Sequence, residues 1–325
     1  MSPVLAASIA AFLSFLLTGL ATWYSRRQGL IDHPGERHSH VEATPTGGGA
    51  GLLMAFVAAA WIPGVAGYPD FWNFPVLPGV VVLVALGWWD DHRPLSAKLR
   101  FAVQLTVSIA LVWSLSREGW SMNWWLAAMF VLFTAWMINL YNFMDGSNGM
   151  PGTQAVFGGL VLALLFIHAG DPDSAWLALM IAACSAGFLP WNLGKARVFM
   201  GDVGSLALGY LFAALLLYGV VSGAFSLPVG LLVMSVFLVD STLTLLLRVL
   251  KGERWYNAHR QHLYQRLIAR GWAHGRVLLV YQAVNLMLVL PAIVFGVNHP
   301  ERAWSTAAVL GSLLSLGWYL SLIHI

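Results

Sequence analysis

The sequence predicts an all-α fold: a polytopic integral membrane protein with about eleven transmembrane helices. Of its 325 residues, 59% are hydrophobic and 10% are charged, whereas about a quarter of the residues in a soluble domain are charged. Several apolar runs reach the ~20 residues that cross a hydrocarbon core. The basic residues are concentrated in alternate loops. Together these observations exclude an ordinary soluble domain.

Hydropathy and turn signals divide the chain into spans that we expect to form a single membrane-embedded domain, residues 1–325. No positively charged segment precedes the first span and no cleavage site follows it, so it is predicted to be retained. The single cysteine, Cys184, excludes an intrachain disulfide. The predicted spans are 4–24, 47–66, 71–89, 99–116, 124–143, 150–169, 174–193, 205–222, 227–247, 276–297 and 303–321.

Charge predicts the orientation of the spans. Five loops, together with Arg100 and Arg276 at their borders, hold 15 of the 17 Lys and Arg residues. Because basic loops are retained on the cytoplasmic side, we expect these loops in the cytoplasm and the N-terminus outside. We number them loops one to five: 25–46, 90–98, 144–149, 194–204 and 248–275.

Loop one leads into a glycine-rich turn, residues 45–49, at the start of the second span. Free N–H groups at a helix N-terminus attract phosphate oxygens, whereas glycines also let membrane helices pack closely. Both interpretations stay open. A nucleotide-binding P-loop is excluded, because no Gly-Lys-Ser/Thr follows the turn.

Loop two begins with two adjacent carboxylates, Asp90 and Asp91, at the end of a span. Neighbouring side chains on a helix point about 100° apart, so one carboxylate can face a divalent cation while the other faces a substrate. The alternative is a solvated acidic cap with Arg93 and Lys98 as neighbours.

Loop three follows an apolar run and is rich in amides and glycine. Asn139, Asn142 and Asp145 recur every third residue and therefore line one helical face. A polar turn that merely ends a span is the alternative, and the repeated amides favour a binding function.

Loop four places Asp202 between glycines at a span entrance. This residue is a candidate helix cap. Beside the acidic residues of loops two and three it is also a candidate ligand for a hard cation, because Mg²⁺ prefers a few carboxylates together with substrate phosphates.

Loop five is the longest and most basic loop. On a helix, His259, His262, Arg266 and Arg270 fall on one side, which suits contact with phosphates. The alternative is an anchor that binds anionic lipid headgroups. Zinc is not expected, because His-x-x-His without a cysteine is a weak signal.

Apart from Arg100 and Arg276 at span borders, Asp240 is the one charged residue placed inside a predicted span. A carboxylate there is costly, which marks it as a functional candidate. Hydrogen bonding to Ser241, Thr242 or another helix is an equal alternative.

Taken together, the loops resemble the polyprenyl-phosphate N-acetylhexosamine-1-phosphate transferase family, glycosyltransferase family 4, and within it the O-antigen-priming branch. The resemblance covers about residues 29–270. It rests on Pro-Thr-x-Gly-Gly at 45–49, Asp90-Asp91, Asn-x-x-Asn-x-x-Asp-Gly at 139–146, Phe-Met-Gly-Asp-Val-Gly-Ser at 199–205 and the segment 259–266.

The resemblance implies that a UDP-sugar and undecaprenyl phosphate react to give undecaprenyl-diphosphate-sugar and UMP. It implies Mg²⁺, with Mn²⁺ as a substitute, and an active site on the cytoplasmic face of a bacterial inner membrane. It also suggests a homodimer surrounded by membrane lipids, with no nucleic-acid partner.

The family's residue roles carry over by position. The implied catalytic residues are Asp90, Asp91 and Asp202, and the implied metal ligands are Asp202, Asn142 and Asp91. Implied substrate contacts also include Asn139, Asn142, Asp145 and Asn148, and of these Asn139, Asp145 and Asn148 would line the uridine–sugar pocket. Implied phosphate contacts are Lys98, His259, Arg260 and His262.

Asn148 departs from the pattern of many relatives, which carry Asp there, and this favours a uracil contact over a metal ligand. Two other functions compete with the one implied. Within the same family, a phospho-N-acetylmuramoyl-pentapeptide transferase of peptidoglycan synthesis would act on a peptide-bearing donor. In another class, a lipid-linked sugar transporter or flippase would place polar groups at mid-membrane, where this chain has only Asp240 as a charged residue.

Overall fold

The computed structural model describes residues 2–32, 43–60, 72–117, 122–253 and 259–324. Within them the chain is almost entirely helical, as predicted. The helices are α1 (Pro3–Gln28), α2 (Gly49–Ala60), α3 (Leu77–His92), α4 (Ala97–Arg117), α5 (Trp124–Phe143), α6 (Met150–His168), α7 (Pro172–Asn192), α8 (Asp202–Val221), α9 (Leu227–Val233), α10 (Ser235–Leu250), α11 (Leu263–Ala269), α12 (His274–Val284), α13 (Leu290–Asn298) and α14 (Ala303–His324).

Short elements of other kinds interrupt this helical pattern, including a 3-10 turn at Pro300–Arg302. A π-helical turn, Trp72–Val76, precedes α3, and a second, Asn285–Val289, joins α12 to α13. Two strands of two residues, β1 (Ile31–Asp32) and β2 (Thr44–Pro45), pair antiparallel within loop one. The fold class is therefore all-α with one minimal ribbon.

The membrane-spanning helices follow most of the predicted spans and differ at three of them. Eight helical segments of the described chain are long and apolar enough to cross a membrane. The predicted span 227–247 is instead two helices, α9 and α10, bent by 83°. Helix α2, as far as it is described, and α3 are shorter than a full span. The structure thus supports eight or nine spans, and the count of eleven stays a prediction.

Helix α8 is the centre of the bundle. It is apolar on all sides, which is typical of a helix surrounded by protein, and nearly all of its side chains are buried. It packs against α2, α3 and α5, while α1 and α6 pack on α7. Small residues allow these close approaches, as is common in membranes. A Cβ at Gly209 would lie 2.6 Å from the carbonyl oxygen of Met137 on α5.

The contact between α3 and α8 is a backbone contact, and it fixes the position of the acidic loops. A Cβ on Gly87 of α3 would lie 2.6 Å from the carbonyl oxygen of Asp202, the first residue of α8. One helical turn after Gly87 comes Asp91. The glycine therefore brings the carboxylates at the end of α3 to the N-terminus of α8.

We expect Gly87→Ala to destabilise the bundle by about 1–3 kcal/mol, because the added methyl overpacks this contact. Thermal unfolding of the detergent-solubilised protein measures the change. Gly311→Ala on α14 is the matched control, since a Cβ there meets nothing within 4 Å. Equal unfolding midpoints for the two variants would show that the helices are not held at van der Waals contact.

Candidate active site

One cleft of about 840 Å³ is lined by residues from all five loops. The cleft therefore brings together polar side chains that are more than two hundred residues apart in the sequence. Of the residues predicted to act in a site, those that line the cleft are Asp90, Asp91, Asn139, Asn142, Asp145, Asn148, Asp202, His259 and His262.

Lys98 and Arg260 are placed elsewhere. Neither side chain lines the cleft, and both residues are exposed. Lys98 lies in the first turn of α4, and Arg260 lies ahead of α11. The structure thus separates these two cations from the other predicted site residues, and a phosphate contact for either stays a prediction.

Asp91 and Asp202 form the centre of the cleft. The backbone N–H of Asp202 donates to Asp91 Oδ1 at 3.2 Å. This contact places a carboxylate from the C-terminal end of α3 at the N-terminal end of α8, where the helix dipole favours negative charge. A carboxylate at the C-terminal end of a helix is unfavourable, and the N-terminal end of α8 offsets this for Asp91.

The second oxygen of Asp91 is buried, and no donor among the described residues reaches it. Gly201, with φ of +75°, lies against this oxygen, and a Cβ at that position would be 2.7 Å from it. A buried carboxylate oxygen without a donor is costly. It is therefore the atom of the cleft best suited to a cation.

Asn142 fixes the other side of Asp202. Its Nδ2 donates to Asp202 Oδ1 at 2.7 Å and to Ser205 Oγ at 3.0 Å. Because the amide nitrogen points at the carboxylate, the amide oxygen of Asn142 is left to face other groups in the cleft. The predicted spacing on α5 thus brings Asn142 to Asp202 across two helices.

Asp90 points away from Asp91 and toward α4. Its Oδ1 accepts from the backbone N–H of Leu95 at 2.6 Å, and its Oδ2 accepts from Arg100 Nη1 at 2.7 Å. The same guanidinium nitrogen lies 3.6 Å from Asp202 Oδ2. Asp90 and Asp91 therefore accept from different donors, although both lie close to Asp202.

Arg100 was not predicted as a site residue, because it entered the sequence argument only as a boundary cation. Its position ten residues after Asp90, across a turn, brings it back to that carboxylate. Gln104, one turn further along α4, accepts from Asn139 Nδ2 at 2.7 Å. Arg100 and Gln104 lie on the polar side of α4, and this was the sequence feature that could have predicted both as site residues.

Asn148 and Asp145 occupy the loop after α5. Asn148 Nδ2 donates to the carbonyl oxygen of Gly194 at 2.7 Å, which ties loop three to loop four. His274, another cleft residue that the sequence argument missed, lies with Nδ1 3.0 Å from Ser147 Oγ. The amide nitrogen of Asn148 thus has a structural role, because it links two of the loops that form the cleft.

The carboxyl groups of Asp91 and Asp145 resist ionisation, because the structure raises the pKa of both. Burial, the negative charge of Asp202 and, to a smaller extent, Asp90 raise the pKa of Asp91 from 3.8 to about 8. Burial, followed by the charges of Asp202 and Asp91, also raises the pKa of Asp145 well above its ordinary value. The cleft thus holds more acidic groups than it can ionise together without a cation.

Loop five differs from its predicted form. The helix begins at Leu263, so His259 and His262 precede it instead of sharing a face with Arg266. Asp240 explains this start: its Oδ1 accepts from the Leu263 N–H at 2.7 Å, and its Oδ2 accepts from the Tyr281 hydroxyl at 2.7 Å. The hydrogen-bonding alternative for Asp240 is therefore the one that the structure supports.

A second contact holds the start of loop five. Arg248, buried on the same helix as Asp240, pairs with Glu253 at 2.7 Å, and Gln261 Nε2 donates to Glu253 Oε2 at 3.1 Å. Arg266 donates to Ser321 Oγ at 2.8 Å on α14, away from the cleft. Contacts from Asp240 and Arg248 on α10 thus hold the segment that carries the two histidines.

The two histidines are neutral near pH 7. Burial, followed by electrostatic interaction with His262 and with Arg248, lowers the pKa of His259 from 6.5 to about 4. Burial is also the main cause that lowers the pKa of His262. His262 Nδ1 is 3.9 Å from Asp240 Oδ1, and because the imidazole is neutral this contact is not an ion pair.

The glycines of loop one serve packing. The N–H groups of Gly48 and Gly49 donate to the carbonyl oxygens of Phe199 and Met200, both at 2.9 Å. These N–H groups are therefore used within the protein, and the phosphate-binding interpretation of the glycine turn is wrong for both. Loop one still reaches the cleft through Thr46 and residues 29–32.

Comparison with known proteins agrees with this arrangement. The model of glycosyl transferase family 4 matches residues 73–220, the segment that carries loops two, three and four. The chain is similar to glycosyl transferase family 4 over this segment. Loop five lies outside the matched segment, and its place in the cleft rests on the structure.

Three relatives are similar to this chain over about nine tenths of its length. The probable undecaprenyl-phosphate N-acetylglucosaminyl 1-phosphate transferase of Bacillus subtilis is 28% identical over 304 residues, which cover 90% of this chain and 84% of the relative. The decaprenyl-phosphate N-acetylglucosaminephosphotransferase of Mycolicibacterium smegmatis is 29% identical, covering 94% and 86%. The phospho-N-acetylmuramoyl-pentapeptide-transferase of Geobacillus thermodenitrificans is 25% identical, covering 89% and 96%.

We expect Asp240→Leu to loosen loop five, because the Leu263 N–H and the Tyr281 hydroxyl lose their acceptor. An unsatisfied buried donor costs about 1–3 kcal/mol, so amide exchange in residues 259–270 should accelerate by about tenfold or more. Hydrogen exchange followed by mass spectrometry measures this. Asp173→Leu, on α7, is the control, and unchanged exchange in Asp240→Leu would remove Asp240 from the support of loop five.

Proposed function

We propose that this protein transfers an N-acetylhexosamine 1-phosphate from a UDP-sugar to undecaprenyl phosphate, which releases UMP and starts an O-antigen or another surface polysaccharide. The reaction takes place at the cytoplasmic face of a bacterial inner membrane. The observation that carries the proposal is the convergence of three aspartates and two neutral histidines, from loops two, four and five, in one cleft. The names of the relatives from Bacillus and Mycolicibacterium support N-acetylglucosamine as the first donor to test.

The chemistry requires two anionic phosphates to meet. An oxygen of the lipid phosphate attacks the sugar-bearing phosphorus of the donor, and the bond from that phosphorus to the bridging oxygen breaks. UMP leaves with the bridging oxygen and its electron pair. Charge stabilisation and alignment therefore matter most, and the cleft supplies amide groups, imidazoles and Arg100 for both.

The acidic centre fits a magnesium ion. Asp91 Oδ2, which has no donor among the described residues, and the carboxylate of Asp202 are the atoms that would hold it, with the Asn142 oxygen beside them. Mg²⁺ bound there would neutralise charge on the phosphates. No three His, Cys, Asp or Glu side chains of the described chain are grouped to hold a metal alone. This agrees with the preference of Mg²⁺ for waters and substrate phosphates as its remaining ligands.

The residues divide into three roles. Asn139, Asp145 and Asn148 line the part of the cleft that we assign to the uridine and sugar. His259 and His262, as neutral imidazoles, present N–H donors to the diphosphate or the lipid phosphate. Asp90, held by Leu95 and Arg100, orients the acceptor.

The decisive experiment measures UMP release from a donor panel with undecaprenyl phosphate and Mg²⁺. We expect release from a UDP-N-acetylhexosamine, with UDP-N-acetylglucosamine tested first. Release only from UDP-N-acetylmuramoyl-pentapeptide would instead support the peptidoglycan reaction, which the Geobacillus relative's name describes. A protein that releases UMP from no donor, yet moves a lipid-linked sugar across vesicles, would be a flippase.

Asp202→Asn tests the acidic centre within that assay. The amide keeps the size of the side chain and removes its charge, so we expect UMP release to fall by at least about a hundredfold in a protein that still elutes as one species. Asp173→Asn is the control because it changes a carboxylate distant from the cleft. A fully active Asp202→Asn protein would remove this residue from catalysis.

The raised pKa of Asp91 predicts that cation binding depends on pH. With a pKa of about 8, this carboxyl is mostly protonated at pH 7, and a cation must displace the proton. Below pH 8 we therefore expect Mn²⁺ affinity to fall by about tenfold per pH unit. Electron paramagnetic resonance between pH 6.5 and 9 measures it, and Asp91→Asn should flatten the dependence. A wild-type affinity that does not change with pH would contradict the assignment.

A further inference from the structure

Arg100 is the one lysine or arginine among the described residues that line the cleft. It faces five aspartates on the same surface: Asp32, Asp90, Asp91, Asp145 and Asp202. The neutral histidines add no positive charge to offset them. The guanidinium of Arg100 is thus the one permanently charged cationic group among the described residues that line the cleft.

The guanidinium lies between carboxylates from two different helices. Arg100 Nη1 is 2.7 Å from Asp90 Oδ2 and 3.6 Å from Asp202 Oδ2. The first carboxylate ends α3, the second begins α8, and the arginine itself comes from the first turn of α4. Arg100 therefore occupies a place where a divalent cation shared by loops two and four would also be stabilised.

The arginine side chain is able to leave this place. It is 36% exposed, whereas the Asp90 side chain is 9% exposed. A flexible, partly solvated guanidinium exchanges between acceptors readily, and its fork matches phosphate as well as carboxylate. A cation at Asp202 would repel the guanidinium at this separation. Besides Asp90, the anions within reach of it would then be the substrate phosphates.

We propose that Arg100 is an exchangeable counter-ion: it pairs Asp90 with Asp202 while no divalent cation is bound, and it turns to a substrate phosphate when one is. This inference rests on the proposed function, since it assigns Arg100 a task at the same site. A permanent ion pair that only fastens α4 to α3 is the contrasting role. The two differ in their effect on cation affinity, because only a counter-ion competes with the cation.

The test measures Mn²⁺ binding to the purified, chelator-stripped protein at pH 8.5 by electron paramagnetic resonance, without substrate. We expect Arg100→Gln to bind Mn²⁺ about tenfold more tightly than the wild type, because a competing positive charge is removed. Arg93→Gln removes a charge from the same loop, outside the cleft lining, and should stay within about twofold of the wild type. Arg100→Lys, with a smaller and unforked cation, should fall between wild type and Arg100→Gln.

Kinetics supply the second readout. For Arg100→Gln we expect KM to rise by about tenfold for the substrate whose phosphate receives the guanidinium. A rise for undecaprenyl phosphate identifies the lipid phosphate, and a rise for the UDP-sugar identifies the diphosphate. An unchanged KM for both substrates would overturn the second half of the proposal.

The outcomes separate this inference from the proposed function. Mn²⁺ affinity of folded Arg100→Gln that equals or falls below the wild-type value would overturn the exchange, even where the wild type releases UMP normally. If Arg100→Gln does not fold, Arg100→Lys decides, and wild-type affinity in that variant overturns the exchange. Wild-type protein that binds Mn²⁺ but releases UMP from no donor would instead overturn the proposed function.

Discussion

The structure depends on one close contact, the approach of α3 to the N-terminus of α8 at Gly87. Because there is no side chain at this position, the backbones meet and the Asp202 N–H reaches Asp91 Oδ1. Two carboxylates are thereby held next to each other in a partly buried place. Burial, followed by the repulsion from Asp202, raises the pKa of Asp91 to about 8. The other groups of the cleft offset or stabilise this concentration of negative charge.

The groups of the cleft lie on two kinds of element, packed helices and a loop. Helices α3, α5 and α8 belong to the packed centre of the bundle and fix Asp91, Asn142 and Asp202. Loop five packs Tyr264 and Leu267 into the buried core and is also held by a hydrogen bond to Asp240 and by the Arg248–Glu253 ion pair. The acidic centre thus lies on helices, whereas the two histidines lie on a loop. Sites built on helices are more precise than sites on loops.

Much of this could be predicted from the sequence. Composition and apolar runs are enough for an all-α membrane protein, because only helices of sufficient length satisfy their backbone in lipid. The gathering of loops one to five at one end follows from charge asymmetry. The every-third spacing of Asn139, Asn142 and Asp145 also predicted a shared face, and the structure places all three in the cleft.

Other features could not be read from the sequence because they depend on tertiary contacts. The bend between α9 and α10 interrupts an apolar run without a strong breaker at the break itself. The start of α11 at Leu263 is set by Asp240, 23 residues earlier. Arg100 became part of the cleft only through the turn that returns α4 to Asp90. Hydropathy and motif spacing carry no information about such contacts between distant segments.

The central claim is that carboxylates from α3 and α8 meet around one divalent cation. The most direct measurement is anomalous scattering from crystals of the protein grown with Mn²⁺. The account predicts one peak at coordination distance, about 2.1 Å, from carboxylate oxygens of both Asp91 and Asp202, with the Arg100 guanidinium displaced from Asp202. A well-ordered cleft with Mn²⁺ bound elsewhere, or with Arg100 still between Asp90 and Asp202 beside a bound ion, would contradict it.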